Sequence, residues 1–233
     1  MSLRVTLWLL SFVIVLLVGG ALLMPVREEF QGIHSVPLFT WMVEQPLVVT
    51  WWLWASVIIL VGLTTNTILC SIESLVGKGG VEQWLLRISP QVIHLGFLFI
   101  LFAHLASAMG SYRAVAVARE GTGVVLPDNS VLSVKEVEIS ADERGYLRDW
   151  AVNVELISGQ GSHTQAQIKA NRPMFHKKFG VYVRDLRAFP ERIVLLEISR
   201  EPGALWALIG GVLFVLGSVT LIIFKVRRDS PSA

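Results

Sequence analysis

Four stretches of this chain contain no Asp, Glu, Lys or Arg and are mostly apolar: 5–26, 45–72, 88–112 and 202–224. Each is at least as long as the roughly 20 residues a helix needs to cross a bilayer core of about 30 Å. Composition agrees. Charged residues make up 16% and hydrophobic residues 53%, with a mean hydropathy of +0.61, whereas soluble domains carry about 25% charged residues. The first stretch, with Arg4 before it, could be a secretory signal. It exceeds the apolar core of about 7–15 residues usual for one, and no A-x-A cleavage pattern follows. The pattern predicts four retained membrane helices.

Short flanking segments set the expected orientation, because Lys and Arg accumulate on the cytoplasmic side. Arg4, then Lys78 and Arg87, then Lys225, Arg227 and Arg228 would share one face, while Arg27 stands among Glu28, Glu29 and Glu44 on the other. Both termini are therefore expected in the cytoplasm. The expected division is helix 1 over 1–26, an outer loop 27–44, helix 2 over 45–72, a cytoplasmic loop 73–87 and helix 3 over 88–112. An extracytoplasmic domain 113–203, helix 4 over 204–224 and a cytoplasmic tail 225–233 complete it.

The segment 113–203 holds 13 of the 20 basic and 12 of the 18 acidic residues, which describes a solvated domain of near-zero net charge. Five runs in it, 131–139, 150–157, 164–169, 179–186 and 192–199, are rich in β-branched or aromatic residues with partial period-2 alternation. Turn formers separate them: Pro127-Asp128-Asn129-Ser130, Ser158 through Ser162, Asn171-Arg172-Pro173 and Pro190. The expected fold class is thus a membrane protein of four transmembrane α-helices, with an extracytoplasmic antiparallel β sheet or sandwich between helices 3 and 4. The near balance of charge, +2 overall, argues against a nucleic-acid partner. One cysteine excludes an intrachain disulfide, a CxxC pair and a Cys-based zinc cluster.

Polar groups inside a span are costly and point to function or to helix–helix bonding. Here they include Asn66, Cys70, His94 and His104. The two histidines share one predicted helix, about 15 Å and about 80° apart, so they cannot bind one metal together. Each is either a ligand completed by another helix or chain, or a structural hydrogen-bonding residue. Gly96, Ala103 and Gly110 are expected near the His94 face, where small residues admit a helix or a flat macrocycle. Asn66 and Cys70, four apart, read as a helix-crossing amide and a small buried hydrophobe. Trp51, Trp52 and Trp54 suit an interfacial aromatic belt, with a porphyrin platform as the functional alternative. His34 and His163 read as solvated. His176, beside Lys177 and Lys178, could meet a propionate or a lipid phosphate. No nucleophile–base set, phosphate loop or paired carboxylates suggest a catalytic residue.

Several of these stretches, in order, resemble the ResB (CcsB) family of System II cytochrome c biogenesis. Asn66-Thr67-Ile68-Leu69-Cys70-Ser71, closing helix 2, is similar to an N-x-x-x-C signature, with Trp51-Trp52 opening the same span. His94-Leu95-Gly96 leading to Gly110-Ser111-Tyr112-Arg113 resembles the H-x-G helix and its exit. Asn171-Arg172-Pro173-Met174-Phe175 with Gly180-Val181-Tyr182 resembles a segment of the extracytoplasmic domain. Glu201-Pro202-Gly203, with Gly210 or Gly211 and Gly217, resembles the start of the last helix. The likeness runs through nearly the whole chain, as a short variant with a smaller outer domain and Glu73 where basic residues often follow the cysteine.

The resemblance implies a bacterial inner-membrane subunit of a cytochrome c synthase, with the β domain in the periplasm. It implies haem b, held reduced and shared transiently with a CcsA-type WWD-domain partner, and presented to the CxxCH thiols of an apocytochrome c. His94 matches the third-helix histidine proposed to ligate the haem iron, with the second axial ligand from CcsA. His104 and His176 are the secondary haem-binding candidates. The rival expectations are a scaffold that docks the apocytochrome without touching haem, and a haem-b electron-transfer subunit. The latter would need His on two helices.

Overall fold

The computed structural model describes residues 3–77, 84–143, 147–159, 161–188 and 191–229. Lys78, Gln160, Pro190 and the tail beyond Asp229 lie outside them. The chain forms two compact units, Met1–Gly110 with Pro202–Ala233, and Ser111–Glu201.

The first unit is helical: α1 (Leu3–Leu23), α2 (Leu38–Glu44), α3 (Leu47–Gly77), α4 (Trp84–Gly110) and α5 (Ala204–Asp229). Four of them, all but α2, are long and apolar enough to cross a membrane. Their surfaces agree with a lipid setting, since Trp8, Val15, Leu22, Ile58, Leu208 and Ile222 are all exposed. The last residues of the segment expected as helix 1 form a 3-10 turn, Met24–Val26, and the expected outer loop holds a second, Glu28–Gly32, and the short helix α2. Two prolines delimit α2. Pro37 starts it, its carbonyl accepting from the Trp41 N–H, and Gln45 is extended at ψ 151°, as a residue before proline must be.

The α2 region is ordered by burial. Phe30, Ile33, Trp41 and Met42 pack with Val49, Trp52 and Leu53 of α3 in one cluster. Trp52 is 4% exposed and Trp51 53% exposed. The expected aromatic belt therefore fits Trp51 but not Trp52. A Cβ at Gly20 would collide with the Trp52 ring, so α1 seats that indole against its own backbone.

Helices α4 and α5 meet along a line of small residues. A Cβ at Gly96 would lie 2.5 Å from the Phe214 nitrogen, and one at Gly210 would lie 2.7 Å from the Gly96 oxygen. Gly217 approaches Ile93, and Gly203 approaches Ala103 and Ser107 in the same way. The seven-residue spacing of Gly203, Gly210 and Gly217 keeps all three on one face, which lets backbones touch. Phe99 stacks on Trp206 beside that line, with centroids 5.6 Å apart.

Among the described residues the second unit contains eight strands in two antiparallel sheets: β1 (Tyr112–Arg119), β2 (Gly123–Val125), β3 (Val131–Ala141), β4 (Leu147–Ile157), β5 (His163–Lys169), β6 (Met174–His176), β7 (Phe179–Arg187) and β8 (Ile193–Arg200). One sheet has the order β1-β8-β7-β6 and the other β2-β3-β4-β5. Both contribute to one core, with Val134, Val137, Val152 and Ile168 from one and Val181, Val194, Leu196 and Ile198 from the other. The burial of both Val134 and Val137 breaks period 2, and a register shift between Val134 and Glu136 accounts for it. An extra residue in one strand resets which side chains face inward. A second shift, between Val183 and Asp185, does the same in β7.

Candidate functional site

The spans are tied together by side chains where they carry polar groups. Ser71 of α3 meets His94 of α4, with Oγ and Nδ1 2.8 Å apart. Asn66, 6% exposed, donates from Nδ2 to Thr6 Oγ1 of α1 at 2.7 Å, the helix-crossing role its sequence position suggests. Its Oδ1 is buried without a partner among the described residues. Cys70 is a free thiol of intermediate exposure.

The Ser71–His94 bond fixes the imidazole by one nitrogen. The tautomer that donates Nδ1–H to Ser71 leaves Nε2 carrying its lone pair, the state in which histidine binds a transition metal. In that tautomer the ring is free to bind a metal through Nε2. His104 lies ten residues further along the same helix and is exposed. The structure does not bring His94 and His104 to one point. Among the described residues, no cluster of three or more His, Cys, Asp or Glu could hold a bare metal ion.

The small residues expected on the His94 face lie elsewhere. Gly96 and Ala103 stand about 200° and about 180° around the helix from His94 and pack on α5. That groove is filled by a helix backbone and holds no macrocycle. His94 faces α3 instead.

In the two-sheet unit, His176 Nε2 lies 3.1 Å from Asp128 Oδ2, and Lys177 Nζ donates to the same oxygen at 2.7 Å. Asp128 Oδ1 accepts from the Ser130 N–H and hydroxyl. The sequence sets His176 beside Lys177 and Lys178; the fold gives His176 and Lys177 one shared carboxylate partner. Asp128 thereby fastens the turn between β2 and β3, where Asn129 has φ 63°, to the turn between β6 and β7, where Lys177 has φ 52°. The Lys177 ammonium and Ser130, with help from His176, hold the Asp128 carboxyl well below the usual range. A depressed folded-state pKa contributes stability that is present above about pH 4 and is lost as pH falls through the folded value. Asp128→Asn is expected to destabilise the sheets by about 1–2 kcal/mol at pH 7 and to remove this acid-sensitive component, measured by denaturant melts from pH 7 to pH 2. Equal pH slopes for the two proteins would count against the assignment.

Elsewhere, Lys135 and then His163 lower the Glu155 carboxyl, and the Val137 N–H and then Arg192 lower that of Glu120. His163 is exposed, as expected, and its Nδ1 lies 3.1 Å from Glu155 Oε1. Thr6 was not singled out in the sequence, Ser71 stood only as the residue closing the N-x-x-x-C stretch, and Asp128 only as part of a turn. A hydroxyl in an uncharged helix bonds its own backbone by default, as Thr64, Thr65 and Thr67 do here. Ser71 could have been marked only by its place directly after Cys70.

The fold and these contacts define a chain with four helices of membrane-spanning length and composition, joined to an antiparallel two-sheet domain. No family model matches it, and no curated protein matches it. Among solved structures it is similar to one titled "Cytochrome c Heme Lyase CcmF", with a TM-score of 0.43 and 14% sequence identity. That similarity covers 95% of this chain and 35% of the other, so the chain spans about a third of its length.

Proposed function

We propose that this chain is a membrane subunit of a cytochrome c synthase of the System II type, and that it holds reduced haem for delivery to an apocytochrome. One observation carries the proposal: His94 is anchored through Nδ1 by Ser71 on a second helix, and in the Nδ1–H tautomer this leaves Nε2 for iron. The ordered ResB-like motifs support it, from Asn66 and Cys70 through His94 to Glu201-Pro202-Gly203. A haem partly enclosed by apolar helices is kept from water, and its potential and ligand field are set by the imidazole and its hydrogen bond.

In this proposal the chain crosses the inner membrane four times, with both termini cytoplasmic and the two-sheet domain in the periplasm. The domain divisions are those expected from the sequence. A CcsA-type subunit supplies the second axial ligand, and haem b is the cargo. Bound haem supplies the vinyl groups to which the CxxCH thiols add. This chain's contribution is to bind, orient and shield. His104 and His176 take secondary places, His104 on an exposed flank and His176 already paired with Asp128.

The scaffold reading rests on the same contact, because a Ser–His bond is by itself a satisfied helix–helix link. Oxidised and reduced haem spectra of the chain co-purified with a CcsA-type partner separate the two. His94→Ala is expected to lose most of the haem or its axial-ligand signature, and added imidazole is expected to restore it. Unchanged haem content and spectrum would leave the scaffold as the better account.

A further inference from the structure

We infer that Gln91 is the second polar contact of the His94 site, donating its amide to a carboxylate of the bound porphyrin and so setting which edge of the macrocycle faces which end of α4. The inference rests on haem being held at His94. Both side-chain polar atoms of Gln91 are buried, and neither has a hydrogen-bond partner among the described residues. In an apolar span an unpaired amide is costly, by a few kcal/mol on most transfer scales, and native structures leave few such groups without a reason.

Position supplies the reason. Side chains three and four residues away from His94 border it on the same flank of the helix. Toward the start of α4 these are Pro90 and Gln91, and toward its end Phe97 and Leu98. All four have intermediate exposure. Gln91 is the polar member of the set, about 4.5 Å along the helix axis from His94. Phe97 has no ring partner among the described residues, whereas the neighbouring Phe99 stacks on Trp206.

The flank is thus amphipathic along its length, with an amide at one end and an apolar, aromatic surface at the other. Haem has the matching asymmetry: two carboxylates at one edge and two vinyl groups at the opposite edge. Gln91 would take a carboxylate, and Phe97 and Leu98 would take the vinyl edge. In the proposed topology the vinyl edge then faces the periplasm, where the thiols arrive. A neutral amide also suits transient holding. It costs less than a buried cation when the site is empty, and it forms a weaker bond to carboxylate than arginine does, which eases release.

The test uses the full chain in detergent, titrated with haem and with haem dimethyl ester, in which both carboxylates are masked. Gln91→Met keeps the volume and removes the amide. It is expected to weaken haem binding about tenfold, to leave ester binding within about twofold, and to leave the Soret position unchanged. The melting temperature of the unloaded protein is expected to rise, because the orphan amide is gone. Gln91→Asn, which keeps the amide on a shorter arm, is expected to lie between. Equal losses for haem and ester would mean a packing role, no loss would mean no contact, and a lower melting temperature would mean a structural partner. Each of those overturns the inference. His94→Ala in the same titration is the separate check on the ligand. If it leaves the spectrum of bound haem unaltered, the ligation at His94 fails, whatever Gln91 does.

Discussion

Gly210→Leu is expected to lower the melting temperature of the helical unit by about 10 °C or more, while Gly211→Leu, one residue away, is expected to be nearly silent. The contrast comes from which side of α5 each glycine occupies. A Cβ at Gly210 would sit 2.7 Å from the Gly96 oxygen and 2.8 Å from the Ile100 nitrogen, both main-chain atoms of α4. Backbone cannot rotate aside as a side-chain tip can, so the helices must separate. Separation would also loosen the contacts at Gly203 and Gly217. Overpacking at a single site costs about 1–3 kcal/mol when side chains absorb it, and a main-chain clash costs more. For a chain of this size each kcal/mol moves the melting temperature by about 2–4 °C. Gly211 has nothing within 4 Å, and a leucine there meets only the apolar surroundings of exposed Leu208 and Val212. Circular dichroism melts in mild detergent, with gel filtration to confirm monodispersity, would measure both. Equal effects at the two positions would mean that α4 and α5 do not pack through this line.

That contrast marks where sequence reading reached its limit. The motif placed a glycine at 210 or 211 without choosing between them, because both fit a loose helical repeat; the seven-residue step from Gly203 through Gly210 to Gly217 selects one face. The same helical arithmetic went astray at Gly96 and Ala103, which lie across α4 from His94 and belong to the α5 contact. The four long helices were legible because uninterrupted apolar length is a one-dimensional signal. Five strands were legible through Val, Ile and aromatic alternation. Strand β1 was not, since its inward positions after Tyr112 are Ala114, Ala116 and Ala118, and alanine carries little strand preference. Burial decides there, because strand β8 pairs with β1 along its whole length. Short β2 and β6 have three residues each, too few to show a period. At the candidate site, His94 stood out as a histidine in a span. Ser71 and Gln91 did not, because their meaning depends on which helix each one faces and on what it fails to bond.

Leu196→Ala is expected to destabilise the two-sheet unit by about 3 kcal/mol, whereas Leu195→Ala should cost less than about 1 kcal/mol. Both leucines lie in β8, one position apart, so they point to opposite faces of the sheet. Leu196 is fully buried and packs in the core with Val181, Val194 and Ile198. Leucine-to-alanine changes at such sites remove transfer energy and leave a cavity, costing about 2–5 kcal/mol. Leu195 is partly exposed beside Val117 and Asp185, its partners in register, so truncation there opens no internal void. A sandwich of this size has little stability to spare, of the order of 5–10 kcal/mol. Leu196→Ala should therefore raise amide hydrogen exchange throughout β7 and β8. Under the proposed haem ligation at His94, the haem spectrum should survive the same change, because His94, Ser71 and Gln91 all belong to the helical unit. Loss of that spectrum in Leu196→Ala, with α3 and α4 still protected from exchange, would mean that the two-sheet unit itself holds part of the cargo.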